Sequence, residues 1–276
     1  MRRRRRRPLL RCSGFAVAIA LAVTTPVAAQ SDRAGRFMDN CRRNNWNDNA
    51  QVCEIRDFTI AGLRGLVVDG RENGGISVYG WDRSDIKVVA MVQAQAESES
   101  DASDILRQIS ISTNSGEIRA LGPTRNRRHE SWSVSYEIWA PRRTELALTA
   151  SNGGISVDGI QSRMDLETSN GGLNLVDVDG DVRGRTVNGG VTARLTGDRW
   201  RGAGLDLRTS NGGVTLYVPD NYSARLETST VNGGMNLGFP IAVQGNVGRR
   251  ITTQLGAGGA TISATTTNGG VTIRRR

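Results

Sequence analysis

The tripeptide Asn-Gly-Gly occurs seven times in this chain, with its asparagine at Asn73, Asn152, Asn170, Asn188, Asn211, Asn232 and Asn268. From Asn152 to Asn232 the successive spacings are 18, 18, 23 and 21 residues. Near-equal spacing marks a repeat architecture, in which each unit buries its apolar face only against its neighbours. The flanks repeat as well. Three and five residues after the asparagine stand apolar pairs such as Ile155 and Val157, Leu173 and Leu175, Val214 and Leu216. Two, four and six residues before it stand Thr168, Leu166 and Met164, or Thr209, Leu207 and Leu205. Polar residues fall between them. This alternation of period two turns one face inward and the other to water. Each unit is therefore predicted to be strand, corner, strand.

The corner chemistry fits that reading. Asparagine tolerates a left-handed backbone, and glycine takes positive φ without steric cost. The second glycine is expected to leave room for the neighbouring backbone, so Gly190→Val is expected to destabilise. Two geometries are open: Asn-Gly can close a two-residue β-hairpin, or the corners can stack with their asparagines laddered along one edge. The repeated spacing of 18 favours stacking, because equal rungs put equal residues in register. The predicted fold is all-β, a parallel β-solenoid (β-helix-like), with the seven asparagines as structural corners.

The first 29 residues read as an export signal rather than as fold. Arg2 to Arg7 and Arg11 form a basic stretch, Phe15 to Val23 a short apolar core, and Val27-Ala28-Ala29 a small-residue cleavage site. The apolar core is too short for a membrane span. Without those seven arginines, 29 basic residues face 27 acidic ones, a net charge of +2. The basic pI therefore gives no ground for a nucleic-acid partner, and no later run reads as transmembrane. Of the three cysteines, Cys12 falls in the signal, leaving Cys41 and Cys53. An even pair in an exported chain reads as a disulfide. Such a bridge across the polar loop Arg42–Val52 contributes about 3 kcal/mol in the chain-entropy model.

The expected organisation is a signal peptide at 1–29, a disulfide-bearing segment at 30–57 and a strand-repeat domain at 58–276. The first corner, at Asn73, looks degenerate because Arg71 and Asp69 precede it. Strands are expected at Ile86–Val92, Ile109–Thr113, Ile118–Leu121 and Trp132–Ile138. A short helix within Glu97–Gln108 is expected to be capped by Ser100 or Asp101. Leu195–Gly204, Phe239–Arg249 and Gly256–Gly259 read as inserts forming surface loops. The last strand ends in Arg274-Arg275-Arg276, and a charged terminus is expected to protect the open end of the array.

The repeated corners, entered through Trp-Ser-Val-Ser-Tyr-Glu-Ile-Trp-Ala-Pro at Trp132–Pro141, resemble a bacterial putative-adhesin family of β-strand repeats. That family is a domain of unknown function related to the head domains of putative autotransporter adhesins. The resemblance covers roughly Phe58 to Arg276. It implies a surface or envelope β-solenoid and supplies no catalytic residues. No translocating barrel is read in this sequence, so the autotransporter part of the label is not expected to transfer.

Few constellations point to chemistry. His129, the one histidine, stands near Arg125, Arg127, Arg128 and Trp132, where an anionic glycan is conceivable, but a solvated loop is the reading adopted. Asp177, Asp179 and Asp181 suit an oxygen-ligand calcium loop in type but not in spacing, and are read as a turn. Asp165, Glu167, Asp206 and Glu227 alternate with Arg183, Arg185, Arg208 and Arg225, and are read as cross-strand charge pairs on a solvated face. The expectation is an exported, non-enzymatic scaffold without cofactor or metal. It would act as an adhesin or envelope-surface binder in the periplasm, on the surface or secreted. Its ligand would be an anionic polymer, glycan or protein. The alternatives are a polysaccharide-active β-helix enzyme and an envelope-stress accessory protein. The leading contacts are Arg199, Trp200 and Arg201, with Trp200 either exposed or covering a rung end.

The exported protein is expected to start at Gln30 and to carry a Cys41–Cys53 bridge. Intact mass before and after reduction checks both. Alkylation should add nothing until reductant is present, then label both cysteines.

Overall fold

The computed structural model describes residues 34–41, 49–124, 129–238 and 249–276. Helix α1 (34–41) precedes strand β1 (Ala50–Ala61), and Cys41 lies against Cys53 with their Cα atoms 6.3 Å apart. The expected boundary at residue 57 falls inside β1. Strands β2 (Gly65–Asp69) and β3 (Ile76–Trp81) flank the first corner, and β4 (Asp85–Ala96) returns antiparallel along β1. Helix α2 (Glu99–Gln108) packs Ala102, Ile105 and Leu106 over β1 and β4. Its cap is Ser98, whose Oγ accepts from the Asp101 backbone N–H at 3.1 Å, rather than Ser100 or Asp101. A hairpin of β5 (Ser110–Ser112) and β6 (Glu117–Leu121) follows, and then β7 (Ser131–Pro141).

The regular rungs come next. They are β8 (Glu145–Ala150) with β9 (Ile155–Asp158), β10 (Met164–Thr168) with β11 (Leu173–Val176), β12 (Asp181–Asn188) with β13 (Val191–Arg194), and β14 (Gly204–Asn211) with β15 (Val214–Val218). The chain ends with β16 (Ala224–Asn232), β17 (Met235–Leu237), β18 (Arg250–Leu255), β19 (Thr261–Asn268) and β20 (Val271–Arg275). Each rung gives one strand to each of two ten-stranded, mostly parallel sheets. The first sheet runs β1-β4-β7-β3-β9-β11-β13-β15-β20-β17, and the second β18-β16-β19-β14-β12-β10-β8-β2-β6-β5. Inward residues of both form one apolar core, from Leu66 and Ile76 to Ile262 and Ile273. The protein is thus all-β and solenoid-like.

Three contacts repeat at the corners. The asparagine side chains form a ladder: Asn170 Nδ2 donates to Asn152 Oδ1 at 2.8 Å, Asn188 to Asn170 at 2.7 Å, and Asn211 to Asn188 at 2.8 Å. Asn73 belongs to the ladder, since Asn152 donates to it at 3.1 Å. The threonine two residues before each corner reaches inward to the first-glycine carbonyl of the adjacent rung: Thr168 to Gly153 at 2.8 Å, Thr186 to Gly171 at 2.7 Å, Thr209 to Gly189 at 2.8 Å. These buried hydroxyls satisfy carbonyls that would be costly to leave unpaired. The first glycines themselves stack backbone on backbone. A Cβ on Gly153 would run into the carbonyl of Gly74, one on Gly171 into Gly153, and one on Gly189 into Gly171.

This corrects two expectations. No corner asparagine or glycine has a left-handed φ; glycine is needed for close approach, not for φ. The tightest position is also the first glycine; the second is close to the neighbouring backbone at most corners, a Cβ on Gly172 lying 3.1 Å from the Gly190 carbonyl, but not at Gly190 itself. A Cβ on Gly190 would come no nearer than 3.7 Å to the Gly213 carbonyl, and one on Gly234 would meet nothing within 4 Å.

Rung order differs from chain order. The rung β19–β20 lies between β14–β15 and β16–β17. The ladder accordingly runs Asn211, Asn268, Asn232, with Asn268 donating to Asn211 and Asn232 to Asn268, each at 2.8 Å. Strand β18 pairs antiparallel along the outside of β16. The turn at Gly256, Gly258 and Gly259, all at positive φ, then leads the chain into the inner slot. The terminal arginines therefore do not guard an open end. Arg275 sits 3.6 Å from Asp220, and the Arg276 N–H bonds the Val218 carbonyl. Of the expected insert at Phe239–Arg249, all but Arg249 lies outside the described residues.

Gly189→Ala is expected to cost about 3 kcal/mol, since backbone on the adjacent rung must move to admit the Cβ. Gly190→Ala should change stability by less than about 1 kcal/mol. Chemical denaturation of the two variants checks the contrast.

Candidate functional site

The outward positions of the first sheet line up across the rungs. Four residues after each asparagine stand Ser77, Ser156, Asn174, Thr192, Thr215, Thr272 and Asn236, in direct register across the sheet. All carry a hydroxyl or an amide, and those from Ser156 to Thr272 are half-buried. Side chains connect neighbouring rungs here. Asn174 Nδ2 donates to Ser156 Oγ at 3.2 Å, and Arg194 Nη1 donates to Asn174 Oδ1 at 3.2 Å. The Arg194 guanidinium lies 5.0 Å from the Tyr217 ring centroid, a cation–π arrangement. Tyr79 and Trp139 stack at 5.4 Å on the same face. Beside the polar row runs a shallow groove of about 530 Å³ that crosses the rungs from Gly75 to Gly190. Its floor is low because the second glycine of each corner has no side chain.

Sequence reasoning did not single out Ser156, Asn174, Thr192, Arg194 or Tyr217. The signal was present in the repeat, as a hydroxyl or amide four residues after every corner asparagine. Periodicity alone marks such a row only as outward and polar.

The expected binding loop is built differently. Trp200 is 5% exposed, and its Nε1 donates to the Gly180 carbonyl at 2.9 Å. It covers a rung end, so the indole is not a surface contact; burial of a large apolar ring with its N–H satisfied explains the placement. Arg199 is exposed and paired with Asp198 at 3.0 Å. Arg201 is exposed, and its backbone N–H donates to Asp179 Oδ1 at 2.6 Å. Burial, together with the charges of Asp179 and Asp198, pushes the Tyr222 phenol well above its ordinary pKa.

The other constellations stay apart. His129 is exposed with φ 75°, while Arg125, Arg127 and Arg128 lie outside the described residues. Trp132 turns its Nε1 to the Pro123 carbonyl at 3.0 Å. The acids at 177–181 form a turn, with Asp177 and Gly180 at positive φ. Each takes its own partner: Thr196 for Asp177, Arg201 for Asp179, Arg183 for Asp181. Burial raises the pKa of Asp158 and of Asp179, and the nearby Asp177 charge adds to both. On the outer face of the second sheet, Asp165 aligns with Arg183 and Glu167 with Arg185, but Arg185 also aligns with Arg208. The close ion pairs there run along a strand, Arg208 with Asp206 and Arg225 with Glu227, both at 2.8 Å. These two pairs join residues two apart on one strand, which share a face, while cross-strand pairs on this sheet lie elsewhere, Arg64 with Glu145 at 3.2 Å and Arg119 with Asp69 at 3.6 Å.

The family model of Toastrack DUF4097 matches residues 72–274, which holds every corner from Asn73 to Asn268. The chain belongs to the Toastrack DUF4097 family. The match begins within the first corner, so β1, β2 and the Cys41–Cys53 contact precede the Toastrack region. Solved structures similar to this Toastrack chain include a putative cell adhesion protein from Clostridium sporogenes, at 13% identity over 81% of this chain and 100% of that one, TM-score 0.46. A putative adhesin from Bacteroides fragilis matches at 11% identity over 81% and 97%, TM-score 0.39. A putative lipid binding protein from Parabacteroides distasonis matches at 8% identity over 81% and 96%, TM-score 0.30. No curated protein matches the chain.

Trp200→Ala is expected to lower stability by about 3–5 kcal/mol, the usual cost of emptying a buried aromatic site. Arg199→Ala should leave stability within about 0.5 kcal/mol. Thermal or denaturant melts of both variants check this.

Proposed function

We propose that this chain is an exported, non-enzymatic binding scaffold that presents the outer face of its first sheet to a ligand of the cell envelope or surface. The observation that carries the reading is the continuous row from Ser156 to Thr272, flanked by the groove and by the Tyr79–Trp139 and Arg194–Tyr217 pairs. Stacked repeats give extended faces of this kind, and half-exposed aromatics beside arginine are the residue types that dominate binding energies. The export signal read at residues 1–29 supports the compartment. Among the described residues no helix is long and apolar enough to cross a membrane. The acids of the second sheet are spread along it, with Asp181, Asp206 and Glu227 paired with arginine, which supports a solvated face more than a catalytic groove. Arg199 and Arg201, exposed at the edge of the array, add a charged contribution that salt screens.

The test is binding of the purified mature protein to whole cells and isolated envelope fractions across a salt series. Saturable binding without release of polymer fragments is expected. Tyr217→Ala should weaken it about tenfold, or about 1.4 kcal/mol, with the melting midpoint kept. Replacing Arg199 and Arg201 with alanine should remove only the salt-sensitive part. Polymer breakdown lost on substituting an acidic residue would put the protein among the polysaccharide-active enzymes instead.

A further inference from the structure

The second corner glycines pose a question that the fold leaves open. Close packing accounts for glycine at five of the second positions, where a Cβ would lie 3.1–3.4 Å from the adjacent rung's carbonyl, but at Gly190 and Gly234 neither left-handed φ nor close packing requires it, yet all seven corners have it. The peptide between the two glycines supplies a reason. The carbonyls of Gly153, Gly171 and Gly189 point along the stack to the next rung, against the Cα of its first glycine, and accept there from the buried hydroxyls of Thr168, Thr186 and Thr209. These peptides are trans, so each N–H points away from its carbonyl. The N–H groups of Gly154, Gly172 and Gly190 are therefore directed back along the stack, over the second glycine of the preceding rung, where the missing side chain leaves space that belongs to the groove. Among the described residues none of them has a hydrogen-bond acceptor in the protein. The result is a column of backbone donors at the rung spacing, about 4.8 Å, with no side chain to obstruct it.

The first rung shows what such a donor takes. There the Gly75 N–H donates to Ser135 Oγ at 3.2 Å, and Ser135 comes from β7 at the end of the same groove. The protein thus fills the first position of the column with its own hydroxyl oxygen. The walls favour the same class of group. Ser156, Asn174 and Thr192 can each donate and accept, as a sugar hydroxyl does. Arg194, at the groove's margin, is already engaged by Asn174 and Tyr217, so the groove offers no strong anion site. A peptide laid across the rungs fits less well. It rises about 3.3 Å per residue, and its same-facing carbonyls recur at twice that distance, out of step with the rungs. A pyranose chain advances per sugar by a distance close to the rung spacing.

We infer that the glycine groove binds a neutral, hydroxyl-rich glycan chain lying across the rungs, whose hydroxyl oxygens accept from the N–H groups of Gly154, Gly172 and Gly190. This rests on the binding-scaffold reading above and names the ligand class of the same face. At Gly190, where packing does not ask for it, glycine lets the ligand reach the backbone, a known use of glycine.

The experiment is an NMR titration of the ¹⁵N-labelled mature protein with cellohexaose, chitohexaose and an α-linked glucose hexasaccharide, using an extended serine-rich peptide as comparison. With at least one sugar, the amide signals of Gly154, Gly172 and Gly190 should shift together. The Gly75 signal should stay, and the affinity should not change between low and physiological salt. Gly190→Val, which fills the groove at a position with room for a Cβ, should weaken that sugar at least tenfold with the melting midpoint kept. Should the valine variant fail to fold, Gly190→Ala and the wild-type shift map still decide the matter. If these amides do not shift with any of the sugars at millimolar concentration, or shift only with the peptide, the inference is overturned. If envelope binding survives in Gly190→Val while no sugar moves these amides, the scaffold reading stands and the groove assignment falls. If the sugars bind but envelope fractions do not, the reverse holds.

Discussion

The structure depends on one close contact, the first-glycine carbonyl of each corner set against the first-glycine Cα of the next. At that distance no side chain fits between rungs. The contact fixes the lateral position of every rung, and the rest follows from it. The asparagine amides come into hydrogen-bonding reach of one another. The preceding threonine faces the carbonyl on the adjacent rung. The apolar residues three and five positions later fall into continuous rows in the core. Each contact is modest by itself, and the corner contributes by repeating, as stacked arrays do when stability is a sum over neighbouring units.

Much of this is legible in the sequence because it is periodic. Alternation around Met164, Leu166 and Thr168, and around Leu173 and Leu175, defines the strands and the face they bury. The shared asparagine indicates a ladder. What is not periodic is less legible. The β19–β20 rung has the same Thr266, Asn268, Gly269 pattern as its neighbours, so nothing in the motif says which slot it occupies. Its place between β15 and β17 follows from β18, whose antiparallel return along β16 leaves the inner slot for the chain's last rung. The roles of the two glycines are equally indistinct in sequence, since φ and packing are properties of the stack. Trp200 illustrates the same limit: in sequence it stands between two arginines, while in the fold its indole faces inward and the arginines face out.

The corner peptide divides structure from function. Its carbonyl points to the next rung and is satisfied there by a buried threonine, which holds the rungs together. Its N–H points back to the preceding rung, over a glycine that lines the groove beside the hydroxyl and amide row of the first sheet. One repeated motif thereby builds the array and presents a repeated surface. The non-repeating parts close the ends. Helix α2, β1, β4 and the β5–β6 hairpin cover one end of the stack, and β18 covers one strand at the other.

Residue-resolved amide hydrogen exchange on the mature protein tests the corner account most directly. The N–H groups of Ile155, Leu173, Val191 and Val214 bond the second-glycine carbonyls of adjacent rungs at 2.9–3.0 Å, and should rank among the slowest to exchange. The N–H groups of Gly154, Gly172 and Gly190, beside them in sequence, should exchange rapidly. That alternation, repeated at each corner, is the predicted result. Equal protection of the glycine N–H and the N–H that follows it would contradict the stacked-corner structure.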